Sequence, residues 1–247
     1  IGIKLSSAKS MKFKHNDSNH LESLLKKHRQ KYFHCFIFTE GVFSMDGDRG
    51  KIKELAFLSN KYNASIILDD AHGFGVLGNG RGSLHEYTPI PEILVQMGTL
   101  SKAIGSYGGF VTASKTIIRL LHNKARSLIY TTGLPPGSLA ASIKSLEIIM
   151  SNSKITHKPY QYAKLFCKIA KLPAPESSIV SIIMHSEENA IKASKLFEKY
   201  GYYIGAIRPP TVPKNTSRLR FTFSSAHKKK DVINLAEHAK NILKRLN

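Results

Sequence analysis

The feature that most restricts the fold of this chain is an alternation. Short apolar runs ending in polar or acidic residues are separated by stretches whose apolar residues recur every three or four positions. Strand-like runs stand at CFIFTE (35–40), SIILDD (65–70), LVQMGT (94–99) and GGFVTA (108–113). Between them Ile52, Leu55, Ala56 and Leu58, and then Ile117, Leu120, Leu121 and Leu128, carry helical spacing. Strands joined by crossover helices form a largely parallel sheet, so residues 1–150 are expected to be an α/β domain. Pro135-Pro136-Gly137 opens an apolar helix, SLAASIKSLEIIM, leading out of it. Beyond residue 151 the rhythm becomes α+β. The runs SIVSIIMH, YYIGAI and RLRFTF and helical patterns over 187–200 and 229–246 predict a smaller C-terminal domain over 151–247, with KLPAP at 171–175 as a loop.

Composition narrows the classes. Of 247 residues, 42% are hydrophobic and 22% charged, enough for a substantial core. The net charge of +20 raises nucleic acid as a partner, but the basic residues are dispersed over helix positions and only Lys228 to Lys230 form a block. A lysine-rich surface is the better expectation, with no nucleic-acid partner. No apolar run reaches the roughly 18 residues of a membrane span, and the opening residues lack a signal peptide's apolar stretch, so a cytoplasmic protein is expected. Cys35 and Cys167 lie far apart and outside any metal-binding spacing, so they read as small buried hydrophobes and no metal site is expected. The first residue is Ile1, which suggests a processed, trimmed or partial product.

Four clusters carry chemistry, each at a predicted strand end, where open α/β sheets place ligands. In DDAHG, Asp69 can pair with a protonated pyridine nitrogen, and His72 lies three residues on. An acidic turn with a surface histidine explains the same five residues. In GTLSKAIGSYGGF, Lys102 is flanked by small residues and glycines. A lysine amine in its neutral form makes a Schiff base with a carbonyl, Thr99 and Ser101 offer hydroxyls to a phosphate, and Gly105, Gly108 and Gly109 permit close approach. In TEGVFSMDGD, Glu40 and Ser44 close a strand and Asp46-Gly47-Asp48 make a turn. These acids invite calcium, but the rest of a calcium loop is missing. In AIRPPTVP, Arg208 stands between a strand and two prolines, suited to a carboxylate or equally to a structural ion pair.

In this order, FSMDGD, DDAHGFGVLGNGRG, GTLSKAIGSYGGFV, IYTTGLPP, AIRPPTVP and RLRFTFSSAH resemble the α-oxoamine synthases, nearly end to end. These are pyridoxal 5'-phosphate enzymes of the aspartate aminotransferase-like fold (fold type I), here with a partial large domain. The resemblance implies that Lys102 forms the Schiff base with the cofactor, Asp69 pairs with the pyridinium nitrogen, and His72 bonds the phenolic oxygen with help from Ser44. By the same resemblance Thr99 binds the cofactor phosphate and Arg208 holds the amino-acid carboxylate. Thr131 and Thr132 reach the phosphate of a neighbouring subunit, which implies a homodimer.

The strings are most similar to the branch that condenses L-alanine with a pimeloyl thioester, on coenzyme A or an acyl carrier protein. That reaction releases CO₂ and yields 8-amino-7-oxononanoate for biotin synthesis. Glycine C-acetyltransferase and the other sister activities are the alternatives, as is an inactive remnant. Family chains are longer by their first third, which supplies a histidine that stacks on the cofactor ring and a glycine-rich phosphate cradle. The 247-residue chain alone is therefore expected to bind cofactor weakly.

Overall fold

A computed structural model describes residues 2–246. After the short helix α1 (Gly2–Leu5) come α2 (Ser18–His28), β1 (Phe36–Glu40), α3 (Ile52–Lys61), β2 (Ser65–Asp69), β3 (Val95–Thr99) and β4 (Gly109–Ala113). Then follow α4 (Lys115–Lys124), α5 (Arg126–Ile129), α6 (Pro136–Ser151), α7 (Ser153–Ala170), β5 (Ile179–His185), α8 (Glu187–Glu198), β6 (Gly205–Ile207), β7 (Ser217–Thr222) and α9 (Lys229–Leu246). All four strand runs of the first half form one sheet in the order β1-β2-β3-β4. The pairs β1–β2 and β2–β3 are parallel, while β4 runs antiparallel to β3. The fold is thus α/β with a mixed, mainly parallel sheet.

Side chains alternate across a strand, so registered neighbours share a face. Ile37, Ile66 and Leu68 point to one face and are buried beneath Leu21 and Leu25 of α2 and Ile52, Leu55 and Leu58 of α3. Asp17 caps α2 by accepting from His20 N–H at 2.9 Å, and Ser114 caps α4 the same way through Ile117 N–H. The helical pattern that ran on to Leu128 breaks at Ala125, whose extended backbone separates α4 from α5.

A second sheet, β5-β7-β6, carries its own core against α7, α8 and α9. Phe166, Phe197 and Phe221 are fully buried there, with Phe166 and Phe221 rings 4.9 Å apart. Each such burial contributes about 1.5–3 kcal/mol. The strand expected over YYIGAI shrinks to Gly205–Ile207, because Tyr202 N–H instead closes the end of α8 on Phe197 O. The two cores meet along the 44–49 segment. Ser177 Oγ donates to Gly47 O at 2.7 Å, Ser181 Oγ to Met45 O, and buried Arg218 pairs with Asp46. Among the described residues no helix is long and apolar enough to cross a membrane.

Candidate active site

Two parallel pairings align three strand ends, with Glu40 registered to Asp69 and Asp69 to Met97. The acidic and loop residues that follow therefore gather at one edge of the sheet. Gly41 N–H donates to Asp69 O and Asp70 N–H to Met97 O, each at 2.8 Å, which fixes where the strands hand over to loops. Asp69 is half-buried, and its Oδ1 accepts from Ala71 N–H at 3.0 Å, turning the chain so that His72 returns toward the strand ends.

Asp70, unlike Asp69, is fully buried. Its Oδ2 accepts from Ser83 N–H at 2.8 Å and Gln96 Nε2 at 2.9 Å, and burial pushes its carboxyl up from the ordinary range. Gly82, at φ +102°, must be glycine here, because a Cβ would run into that carboxylate. Asp70 is thus the peg that ties the Gly78–Ser83 stretch under the site.

Lys102 sits on a closed loop. Leu100 N–H donates to Gly108 O at 2.9 Å, Ser106 N–H to Leu100 O at 2.8 Å, and Gly105 N–H to Lys102 O at 3.0 Å. Buried Ile104 anchors the loop while Lys102 itself is exposed. Thr99 Oγ1 lies 2.7 Å from Ser101 Oγ, accepts from Ser101 N–H and bonds Gly108 O, so two hydroxyls stand together at the base of the loop. Gly75, at φ +80°, lies flat against Ala103, where any Cβ would collide.

The electrostatics link these pieces. The half-buried His72 imidazole is pushed down to about 4, chiefly by burial and then by the positive charges of Lys102 and Arg220, with Asp69 opposing. It is a neutral imidazole near pH 7. Burial raises the carboxyl of Glu40 and the charge of Asp69 adds to that, against Ser44 N–H at 3.1 Å and the neighbouring Lys102 and His15 side chains.

Arg220 was not singled out from the sequence. It projects from β7 of the second sheet, donates from Nε to Ser44 O at 2.6 Å and from Nη1 to Thr222 Oγ1 at 3.1 Å, and is half-buried beside His72. Its alternation with buried Leu219 and Phe221 was the available signal, since a charged residue on a strand's second face needs a partner there. Arg208, by contrast, is exposed and makes no side-chain hydrogen bond among the described residues. Thr131 and Thr132 are likewise exposed, on the link between α5 and α6. The structure brings Ser44, Asp69, His72, Thr99 and Lys102 to the strand ends and leaves Arg208, Thr131 and Thr132 outward-facing.

The acids of the 44–49 turn are otherwise engaged. Asp48 accepts from Asn16 at 2.8 Å and lies 2.9 Å from His15 Nε2, and Asp46 pairs with Arg218. A flat, anionic, nitrogen-containing ring fits the remaining donor set. It would find a carboxylate at Asp69, a neutral imidazole at His72, an amine at Lys102 and paired hydroxyls at Thr99 and Ser101.

A sheet of this order with a lysine loop after β3 defines a class, and residues 1–238 match the family model for aminotransferase class I and II; the chain belongs to that family. Within it, the chain is similar to the 8-amino-7-oxononanoate synthase of Granulibacter bethesdensis, 46% identical over 242 residues. That match covers 98% of this chain and 62% of the relative, so the chain spans about three fifths of its length. A solved structure of SPT with its PLP internal aldimine superposes with a TM-score of 0.92 at 25% identity, covering 99% of this chain and 63% of that one. The crystal structure of 8-amino-7-oxononanoate synthase from Francisella tularensis gives a TM-score of 0.80 at 29% identity, covering 99% and 71%.

Proposed function

We propose that this chain carries the lysine-bearing part of a pyridoxal 5'-phosphate site that condenses L-alanine with a pimeloyl thioester, giving 8-amino-7-oxononanoate in the cytoplasm. The carrying observation is the convergence of Asp69, His72 and Lys102 with Arg220 at the strand ends, with His72 held neutral. Pyridoxal phosphate, when bound, supplies the electron sink that makes an amino-acid Cα acidic.

The chain's own residues do the rest. Asp69 keeps a ring nitrogen protonated, and neutral His72 bonds a phenolic oxygen without adding a charge there, with Ser44 close by. Thr99 and Ser101 hold the phosphate. Lys102 Nζ anchors the ring and then takes the proton from alanine Cα. Cα bonds to the thioester carbonyl carbon as the carbon–sulfur bond breaks and the thiolate departs, the alanine carboxylate leaves as CO₂, and Lys102 returns its proton to Cα. Arg208, which makes no side-chain hydrogen bond among the described residues, orients that carboxylate by a bidentate pair, and Arg220 adds a second positive charge beside His72. Exposed Thr131 and Thr132 are offered to the phosphate site of a second subunit, as in a homodimer. The thiol carrier is coenzyme A or an acyl carrier protein, either of which suits a chain of net charge +20.

The test is chemical trapping. The chain is incubated with pyridoxal phosphate, reduced with borohydride, digested and mapped by mass spectrometry. One adduct on Lys102, absent in Lys102→Arg, and thiol release from pimeloyl-coenzyme A that needs alanine rather than glycine are the expected results. Adducts scattered over surface lysines would defeat the proposal, and so would equal use of glycine.

A further inference from the structure

The segment after β1 runs between the two sheets, and Ser44 is held there through both of its main-chain polar groups. Its N–H donates to Glu40 Oε2 at 3.1 Å, from the last residue of β1. Its C=O accepts from Arg220 Nε at 2.6 Å, from β7 of the second sheet. A carboxylate thus faces the donor of one peptide and a guanidinium the acceptor of the next, each matching the dipole it meets. Hydrogen bonds with a charged partner are roughly twice as strong as neutral ones. Among the described residues, the other side-chain bonds to the main chain of residues 44–47 come from Ser177, Ser181 and Arg218, on the side of the second sheet. Glu40 is the first sheet's hold on that stretch.

A glutamate is a costly choice for this place. Glu40 is half-buried, on the strand face that carries Phe36 and Phe38, and it lies in register with Asp69. Burial raises its carboxyl and the charge of Asp69 adds to that. A glutamine would accept from Ser44 N–H without either cost. What only the carboxylate adds is charge, so a role for charge is indicated. The other end of the chain of bonds shows where it acts. Arg220 is one of three charged groups acting on His72, with Lys102 and Asp69, and Glu40 is not among them.

We infer that Glu40 and Arg220 are positioning residues that clamp Ser44 from opposite sides, fixing Ser44 for its part at the ring oxygen and keeping the Arg220 charge beside His72. The first role rests on the proposed function. The second does not, because it involves only the chain's own groups. The halves of the site carried by the two sheets are thereby aligned through the main chain of a single residue.

The test reads His72 by NMR titration in the cofactor-free 247-residue chain. Removing a carboxylate by itself lowers the pKa of a nearby imidazole, since a counter-charge is gone. Loosening the clamp does the opposite, because Arg220 can then leave the ring. Glu40→Ala should therefore move the His72 pKa upward, and Glu40→Gln, which keeps an acceptor for Ser44 N–H, should move it less. Arg220→Lys keeps the charge and drops the Nε bond, so the Ser44 amide should exchange with solvent about tenfold faster or more. That variant carries the test alone if Glu40→Ala does not fold. A His72 pKa that falls or stays in Glu40→Ala, or Ser44 exchange at the parent rate in Arg220→Lys, would overturn the clamp. Borohydride trapping of pyridoxal phosphate at Lys102 separates the two roles. Trapping that drops several-fold in Glu40→Ala and partly recovers in Glu40→Gln supports the part of Ser44 at the ring, and trapping at the parent level in both overturns it. A parent that traps nothing on Lys102 refutes the proposed function, and the clamp is then decided by titration and exchange.

Discussion

At the scale of single residues, the site depends on how cations are placed around one imidazole. His72 titrates near 6.5 in the unfolded chain and near 4 when folded. The unfolded state therefore takes up a proton that the folded state refuses as pH falls from about 6.5 to about 4, and stability is lost over that window and retained above it. Allowing for solvent at the half-buried ring, the loss is about 1–2 kcal/mol. Urea melts of the parent and His72→Gln at pH about 7 and about 4.5 should show it, with the variant losing less on acidification. In Arg220→Ala one of the two repelling cations is gone, so an NMR titration should find the His72 pKa moved upward. An unchanged value would mean that Arg220 does not face the ring. That Lys102, Asp69 and His72 lie at or just beyond strand ends was legible from sequence, because an apolar run stops before each of them, whereas their roles rested on the family resemblance. Arg220 was not legible, because RLRFTF reads as an ordinary amphipathic strand until the partner on its second face is known.

At the scale of elements, glycine positions decide whether the lysine loop can close. The loop from Leu100 to Gly108 is tied by its own backbone bonds but rests on Gly75. Gly75→Ala adds strain at φ +80° and a collision with Ala103, so the variant should lose about 1–3 kcal/mol and trap at least tenfold less cofactor at Lys102. Trapping at the parent level would show that the loop shifts freely. Strand positions were legible to within a residue or so, since apolar runs bounded by acids and glycines have few other uses. The direction of β4, the break at Ala125 and the shortening of β6 were not. Each is decided by a tertiary partner, namely the register with β3, the turn into α5 and the claim of Phe197 O on Tyr202.

At the scale of the whole molecule, the cores beneath the two sheets are joined by the polar contacts of the 44–49 segment and by a small buried cluster of Val42, Leu77 and Ile179. Arg218 is buried and pairs with Asp46, which is partly in water, so Arg218→Ala should cost about 2 kcal/mol rather than the larger penalty of a fully buried pair. Its unfolding, followed by circular dichroism and tyrosine fluorescence because the chain has no Trp, should separate into two steps. A single unshifted transition would show that the Arg218–Asp46 pair is not what couples the cores.

The acceptors in those polar contacts are mostly main-chain carbonyls, of Ser44, Met45 and Gly47, reached by Arg220, Arg218, Ser181 and Ser177. A carbonyl survives any change of the side chain beside it. Position 45 can therefore drift through evolution with little penalty while the donors across from it cannot, so divergence at this junction should be one-sided, with the turn inventing new residues against a neighbour that stays fixed.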